Sequence, residues 1–401
     1  MSREAARLAS PWSGADLPPA VRRLGGASFF QDFASEMVYP LLPAFLASLG
    51  GGPALLGAME SGAEAVLALV KRWAGRASDR IGRRKPFVVF GYAASAAARP
   101  LLALAASVGQ VIGLRLWDRF AKGVRTAPRD ALIADATPPA RRAGAFAFHR
   151  GLDHLGAAVG PLAAGIWLAA DPTATRALFA SATLPALAGV AIVAFGLPRE
   201  PARQPSTGSV TPAFARSPAS SRAFRRALAA FFLFALARAS EAFLLLRAGE
   251  LGAAPAALAG GWALLHLLRW LASAPAGRWA DRAGRRIALS LGWALHAAAW
   301  TGFGFAPNLA MFALLLPVYA LSTGLVEGSE RALAVELGDA RAAGAALGAY
   351  HAATGVAAAL SSAAFGALWQ ATSSRAAFSA GALAALAAVA ILPRAGGARN
   401  G

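Results

Sequence analysis

The chain has 401 residues, of which 57% are hydrophobic, whereas soluble domains are roughly 45–50% apolar. Its 39 lysines and arginines and 20 aspartates and glutamates leave a net charge of +19, and cysteine is absent. The lack of cysteine excludes disulfides, iron–sulfur clusters, thiolate zinc sites and cysteine nucleophiles. This composition predicts a protein that crosses a membrane many times, and it argues against a soluble enzyme of two or three domains.

Apolar stretches long enough to cross a bilayer, which takes about 20 residues, occur twelve times. They lie at about 24–48, 54–72, 87–106, 108–130, 144–169, 175–197, 226–247, 256–274, 287–306, 309–334, 345–367 and 376–392. The first twenty residues lack the apolar run of a cleavable signal peptide. The first span is therefore expected to act as an uncleaved signal.

The basic residues between the predicted spans fall on alternate loops. Arginines and lysines concentrate in the N-terminal segment and in segments 72–85, 141–142, 199–226 and 278–286. Because cytoplasmic loops are rich in these residues, both termini are predicted to be cytoplasmic. The positive charge is attributed to the inner-leaflet face rather than to nucleic-acid binding.

The chain contains an internal repeat. GRASDRIGRRK, which starts at Gly75, returns 202 residues later as GRWADRAGRRI at Gly277, and Ser35-Glu36 returns as Ser240-Glu241. The predicted fold is therefore an all-α polytopic membrane protein with twelve transmembrane helices in two pseudo-symmetric six-helix bundles. The predicted segments are an N-terminal segment (1–23), a first bundle (24–197), a linker (198–225), a second bundle (226–392) and a tail (393–401).

The repeated loop resembles motif A of the major facilitator superfamily, and the duplication and the twelve spans are similar to that family over the whole chain. The resemblance assigns gating to Gly75, Asp79, Arg80, Gly82, Arg83, Arg84, Asp281 and Arg282. Gly75 and Gly82 permit a close helix approach and a turn. Asp79 can accept hydrogen bonds from a helix N-terminus or pair with an arginine, as a reversible latch. Alternatively, the arginines of this loop only fix the topology.

Two further motifs resemble the same family. Arg119-x-x-Lys122-Gly123 in the fourth span resembles motif B, whose arginine is associated with proton coupling. The antiporter-like motif C of the fifth span comprises Gly156, Gly160, Pro161 and Gly165. The surroundings of Ser35-Glu36 look like a bacterial subgroup of these permeases, which implies a bacterial cytoplasmic (inner) membrane.

Ionisable side chains lie inside several predicted spans, where each costs roughly 2.5–3.5 kcal/mol or more. Such groups imply a protein-lined or wet interior. Because burial disfavours the charged form of a carboxylate, Asp32, Glu36 and Glu64 are candidates for proton coupling, and the resemblance to motif B adds Arg119. The predicted substrate cavity contains Lys122, Arg238, Glu241, His266 and Asp153. Two alternatives stay open, because Arg238 and Glu241 can form a neutralised i,i+3 pair and His266 can be a hydrogen-bonded core histidine.

The sequence contains no nucleotide-binding P-loop, no zinc-protease helix motif and no nucleophile elbow. The protein is therefore not expected to be an enzyme or to hold a cofactor or metal. The resemblance implies a secondary transporter working by alternating access, and the antiporter-like motif favours proton-coupled export of a small organic molecule. One alternative is proton-coupled or facilitated uptake of a small anionic metabolite, and another is a non-transporting membrane receptor or scaffold. The expected partners are a small-molecule substrate, protons and the lipid bilayer, with no nucleic acid, and a functional monomer.

Overall fold

The computed structural model describes residues 17–138, 142–198, 221–337 and 343–393. Most of the predicted N-terminal segment, the linker and the tail lie outside these residues. The described residues form twelve helical stretches, numbered α1 to α12, and every predicted span falls on one of them.

The first six stretches are α1 (Pro19–Val38, a 3-10 turn Tyr39–Leu41 and Leu42–Ser48), α2 (Pro53–Ile81), α3 (Lys85–Ala103), α4 (Val108–Ala136), α5 (Arg142–Ala170) and α6 (Thr175–Ser181, Thr183–Ala191 and a π-helical end Ile192–Gly196). The last six are α7 (Arg222–Ala237 and Ala242–Glu250), α8 (Pro255–Ala283), α9 (Arg285–Phe305), α10 (Leu309–Leu314 and Leu316–Leu337), α11 (Ala343–Ala371) and α12 (Ser374–Ile391).

Eight of these stretches, α2, α3, α5, α6, α7, α10, α11 and α12, are long and apolar enough to cross a membrane, judged over the described residues. α4 is long enough, but charged side chains recur along it from Arg115 to Asp130. The same residues that weaken its apolar character make α4 the most polar helix of the first half.

The turns between helices recur at equivalent positions in the two halves of the sequence repeat. The positive-φ glycines of the described residues are Gly50 (φ 89°), Gly82 (φ 69°), Gly252 (φ 87°) and Gly284 (φ 94°). Glycine adopts this conformation without the steric penalty of a Cβ atom. Gly82 therefore forms the turn that the sequence predicts after α2, and Gly284 forms the equivalent turn after α8.

α7 is interrupted at residues 238–240, although the sequence predicts one unbroken span there. Arg238 follows the first segment with φ −98° and ψ 72°, and the second segment begins only at Ala242. No proline or glycine lies at this point. Neighbouring side chains take up the freed backbone groups, since the Ser240 N–H donates to Ser362 Oγ at 2.9 Å and Ser361 Oγ donates to the Leu236 carbonyl at 2.7 Å.

The described residues fall into two compact units. The first contains the described residues of 17–42, 63–198 and 254–263, and the second those of 43–62, 221–253 and 264–393. In the first unit, α5 packs closely on α1. In the second unit, the core is an aromatic cluster in which Trp300 lies 4.7 Å from Phe378 and Phe234 stacks on Trp293 at 4.9 Å between ring centroids.

Candidate functional site

Two carboxylates lie one helical turn apart on α1 in the first unit. Asp32 and Glu36 are both half-buried. Glu36 Oε2 accepts a hydrogen bond of 2.7 Å from Trp262 Nε1, and the Trp262 ring lies 5.3 Å from that of Tyr39. Glu36 is therefore oriented by a neutral donor.

The main cations that act on these carboxylates come from α4. Lys122, Arg125 and Arg129 act electrostatically on Asp32, while Lys122 and Arg119 act on Glu36. Residues that share one face of an α-helix recur every three or four positions, so α4 presents these cations as one row. The structure thus brings together four residues of the sequence prediction: Asp32, Glu36, Arg119 and Lys122.

Asp153 on α5 belongs to the same cluster. It is 7% exposed and is one of the charges that act on Asp32. Its Oδ2 lies 3.5 Å from Nδ1 of His149, one turn earlier. The predicted cavity residue Asp153 therefore lies beside the coupling candidates.

Glu64 does not join this cluster in the described structure. Its side chain is exposed, whereas Glu60, one turn earlier on α2, is 4% exposed. Glu60 belongs to the second unit, where Ser240 Oγ donates to its Oε2 at 2.9 Å. The buried carboxylate of α2 is thus Glu60 and not Glu64.

Sequence reasoning missed Arg99 on α3, which is 4% exposed. Arg99 donates to Ser35 Oγ at 2.8 Å and to the carbonyl oxygen of Ser95, whose hydroxyl in turn donates to Asp118. An arginine inside the apolar stretch 87–106 carries the same cost as the charges of α4. This free-energy cost is the feature of the sequence from which a functional or structural role for Arg99 could have been predicted.

A second cluster, centred on Glu241, lies in the second unit. Arg269 binds both carboxylate oxygens of Glu241, with Nη1 at 2.9 Å from Oε2. Tyr319 OH donates to Oε1 at 2.8 Å, and the Arg269 guanidinium lies 5.2 Å from the centre of the Tyr319 ring. The bidentate partner of Glu241 is therefore Arg269, not Arg238 as i,i+3 spacing allowed, because the interruption of α7 removes the helical geometry between residues 238 and 241.

The other predicted cavity residues of this half surround the Glu241 cluster. Arg238 is exposed, and its guanidinium lies 5.7 Å from the centre of the Phe234 ring. His266 is half-buried and acts electrostatically on Glu241. Glu330 on α10 is 3% exposed and accepts a 2.6 Å hydrogen bond from Tyr350 OH.

The loop motif forms ion pairs in both units. Arg84 Nη2 lies 3.1 Å from Asp79 Oδ1, and its other guanidinium nitrogen pairs with Asp135 on α4. In the second unit, Arg285 Nη1 lies 3.0 Å from Glu336 Oε2 on α10. Asp79 thus pairs with an arginine, which is one of the two partners that the sequence predicts.

The remaining residues of the loop motif are mostly exposed, apart from Gly75, which contacts α4. Arg80, Arg83 and Arg282 are exposed, as expected for residues that fix topology, and the side chain of Asp281 lies outside the described part of the structure. A Cβ on Gly75 would come within 3.3 Å of Ala127 Cβ on α4. Gly75 therefore marks the predicted close approach of two helices.

The antiporter-like motif is a helix-packing surface. A side chain at Gly156 or Gly160 would collide with the backbone of Phe29 and Phe33 on α1. A Cβ at Gly165 would lie 3.5 Å from the carbonyl oxygen of Ala256 on α8. Pro161 lies inside α5 between these contacts. These glycines hold α5 against the helix that carries Asp32 and Glu36.

Comparison with known proteins agrees with this architecture. Residues 24–269 match the family model of the Major Facilitator Superfamily. An uncharacterized MFS-type transporter of Methanocaldococcus jannaschii is 28% identical over 351 residues, which cover 85% of this chain and 86% of that protein.

Two solved structures show the same fold. The peptide transporter POT in complex with sulfate has a TM-score of 0.74 at 15% identity and covers 98% of this chain and 97% of its own. A human organic anion transporter has a TM-score of 0.63 at 18% identity and covers 94% of this chain and 99% of its own.

Proposed function

The chain belongs to the major facilitator superfamily, and from that premise we propose that it exports a small organic molecule by proton antiport. Membership in this family makes the chain a multi-pass membrane transporter of a small molecule and not an enzyme. The direction of transport, the proton as coupling ion and the nature of the cargo belong to the proposal.

The proposed arrangement is twelve membrane spans in two six-helix bundles, 24–197 and 226–392. Both termini face the cytoplasm of a bacterial cell, and a monomer carries out transport. The positive loops and the internal repeat support this arrangement. Alternating access then requires the bundles to expose a central cavity to one side of the membrane at a time.

The observation that carries the proposal is the Trp262 hydrogen bond to Glu36, together with the electrostatic action of the cationic row of α4 on Asp32 and Glu36. When ionised, these carboxylates balance the charge of Lys122 and Arg119. A proton taken up on either carboxylate removes that balance and changes the field along the cavity wall. A molecule bound through the ionised form is then released when the proton arrives, which is the exchange an antiporter requires.

The loop motif supplies the proposed gate. Arg84 joins Asp79 of its own loop to Asp135 of α4. Both acids are partly exposed, so the bridge can break and re-form without burying an unpaired charge. We assign it the stabilisation of one access state.

A second candidate is proton-coupled or facilitated uptake of a small anionic metabolite. It is favoured by the cationic excess of α4, where Lys122 and Arg125 accompany Arg115, Arg119 and Arg129. A non-transporting receptor or scaffold is the third reading, and the buried charge clusters weigh against it because such residues are costly in a membrane.

The test is transport into inverted membrane vesicles made acidic inside. A deletion strain is first screened against a panel of small organic compounds, and the compound whose toxicity is relieved most by expression is used as substrate. Export by antiport predicts that this compound accumulates in the vesicles as protons leave. Proton-driven loss of the compound from preloaded vesicles, in the same direction as the protons, contradicts export and supports uptake.

Glu36→Gln tests the coupling role. We expect proton-driven accumulation to fall at least about tenfold, while exchange of labelled for unlabelled compound without a pH gradient continues. Asp171→Asn, which makes the same chemical change on the exposed turn after α5, is the matched control and should transport normally. A Glu36→Gln variant with unchanged proton-driven accumulation would contradict the coupling role of Glu36. An intact cellular phenotype without transport of any compound would support the receptor or scaffold reading.

A further inference from the structure

A pocket with a cavity volume of about 50 Å³ lies within the first unit between α1, α3 and α4. One buried water needs roughly 10–15 Å³ of such volume, so the pocket has room for a few waters or for one narrow chain. Neither Asp32 nor Glu36 lines it. The pocket is therefore a second feature of this unit, next to the carboxylate cluster but separate from it.

One end of the pocket is apolar. Leu42, Leu102 and Val111 line it, with Val38 and Leu114 just below them. Leu102 is near the end of α3 and Val111 near the start of α4, so these side chains meet where the chain turns between the two helices. The hydrocarbon part of a ligand would displace water from these apolar side chains, and the removal of apolar surface from water favours binding.

The other end of the pocket is polar. Ser35 lies seven residues before Leu42 on α1, and Asp118 lies seven residues after Val111 on α4. Seven residues correspond to a depth of about 10 Å at the helical rise. Arg99 lines the same end, is 4% exposed, and its Nε has no hydrogen-bond partner among the described residues. The pocket thus has a buried donor at its polar end.

The charges around the pocket favour an anionic group. Arg99 and Arg115 line it together with one acid, Asp118, which accepts a hydrogen bond from Ser95. Arg115 is 9% exposed, and its guanidinium lies 4.7 Å from the centre of the Tyr39 ring. A planar guanidinium matches the geometry of a carboxylate, and an ammonium group would be repelled by the two arginines.

We propose that this pocket binds a small amphipathic monocarboxylate, with its carboxylate at the arginines and an apolar body of about 10 Å toward Leu42 and Val111. As a substrate subsite the pocket rests on the proposed transport function. The binding claim holds for either direction of transport.

The test is binding of sodium octanoate to the purified full-length protein in detergent, measured by isothermal titration calorimetry and by thermal unfolding. Acetate, octan-1-ol and octylamine are the matched probes, since each lacks either the apolar chain or the negative charge. We expect saturable octanoate binding at least tenfold tighter than binding of the other three. Equal binding of octanol or octylamine would overturn the carboxylate assignment, and absence of octanoate binding would overturn the proposal.

Two variants locate the ligand. Leu114→Trp places a larger side chain in the pocket and should weaken octanoate binding at least tenfold, whereas Leu104→Trp, at a neighbouring position that is 76% exposed, should not. Arg115→Gln should also weaken octanoate binding but leave octanol binding unchanged. Octanoate binding to Leu114→Trp at the wild-type affinity would overturn the location.

Transport measurements separate this proposal from the proposed function. Octanoate binding with the expected variant pattern, but without proton-driven octanoate flux, would leave the pocket in place and contradict its use for transport. Export of another compound that depends on Glu36, without any octanoate binding, would leave antiport in place and overturn the pocket.

Discussion

The dipeptide Ser-Glu occupies repeat-related positions in α1 and α7, and its two copies have different surroundings. Glu36 accepts a hydrogen bond from the neutral indole of Trp262. Glu241 is held by both guanidinium nitrogens of Arg269 and by Tyr319. A carboxylate in a bidentate ion pair stays ionised, whereas one held by a neutral donor can change its protonation state without breaking an ion pair.

The serines of the two copies differ as well. Ser35 Oγ accepts from the cation Arg99, while Ser240 Oγ donates to the carboxylate of Glu60. Duplication has therefore preserved the residues but not their chemistry. This difference supports the proposed coupling role of the α1 copy and predicts a structural role for the α7 copy.

The largest expected effect is on the Glu241 cluster. Arg269→Met removes the charged partner of a partly buried carboxylate and should lower the free energy of unfolding by about 2–3 kcal/mol. Thermal unfolding of the purified protein in detergent measures the change. Adding Glu241→Gln to Arg269→Met should cost less than the sum of the single changes, because both remove one interaction. Fully additive losses would contradict the assignment of the ion pair.

Ser240→Ala should have the next largest effect. It leaves the buried carboxylate of Glu60 without one donor, and we expect a loss of about 1–2 kcal/mol. Ser35→Ala should lose about 1 kcal/mol or less, because Arg99 keeps its bond to the Ser95 carbonyl. Ser240→Thr retains the hydroxyl and serves as the control. A larger loss for Ser35→Ala than for Ser240→Ala would reverse the assigned difference between the two copies.

Trp262→Phe should cost about 1 kcal/mol, because it removes one hydrogen bond but keeps an aromatic ring beside Tyr39. The same variant should change the pH dependence of transport, since it alters the donor that faces Glu36. Flux measured across a pH series with the compound from the toxicity screen tests this effect. An unchanged pH profile would argue against Glu36 as the coupling carboxylate.

The smallest effects are expected at the loop motif. Arg84→Gln breaks contacts with two acids and should cost up to about 1 kcal/mol, whereas Arg285→Gln should cost less than about 0.5 kcal/mol. The side chains of Arg285 and Glu336 are 43% and 46% exposed, while that of Arg84 is 19% exposed. Thermal unfolding at low and high ionic strength checks the order, and the difference should narrow as salt screens the charges.

Much of the architecture could be predicted from apolar length and from the repeat. The twelve stretches and the turns at Gly82 and Gly284 follow from properties of a single segment. The shared face of Asp32 and Glu36 on α1 and the polar face of α4 that carries Lys122 also follow from one helix at a time. Such one-helix properties are encoded locally.

The partners across helices could not be predicted in the same way. Arg269 lies three residues after His266 on α8, and only the rotation and tilt of α8 decide which of them faces Glu241. The interruption of α7 carries no proline or glycine signal, since it depends on the hydroxyl groups of Ser361 and Ser362 from another helix. The choice between Glu60 and Glu64 depends on helix rotation in the same manner.

The interruption of α7 makes the backbone conformation of this helix depend on the position of α11. Ser361 and Ser362 are consecutive on α11, and together they occupy one carbonyl and one amide group of α7. If α11 slides by a turn, both hydroxyls leave at once, and these two main-chain groups must find replacements along their own segment. We therefore expect sliding of α11 to change the bend of α7, and hydrogen–deuterium exchange of the amide at position 240 would report on it.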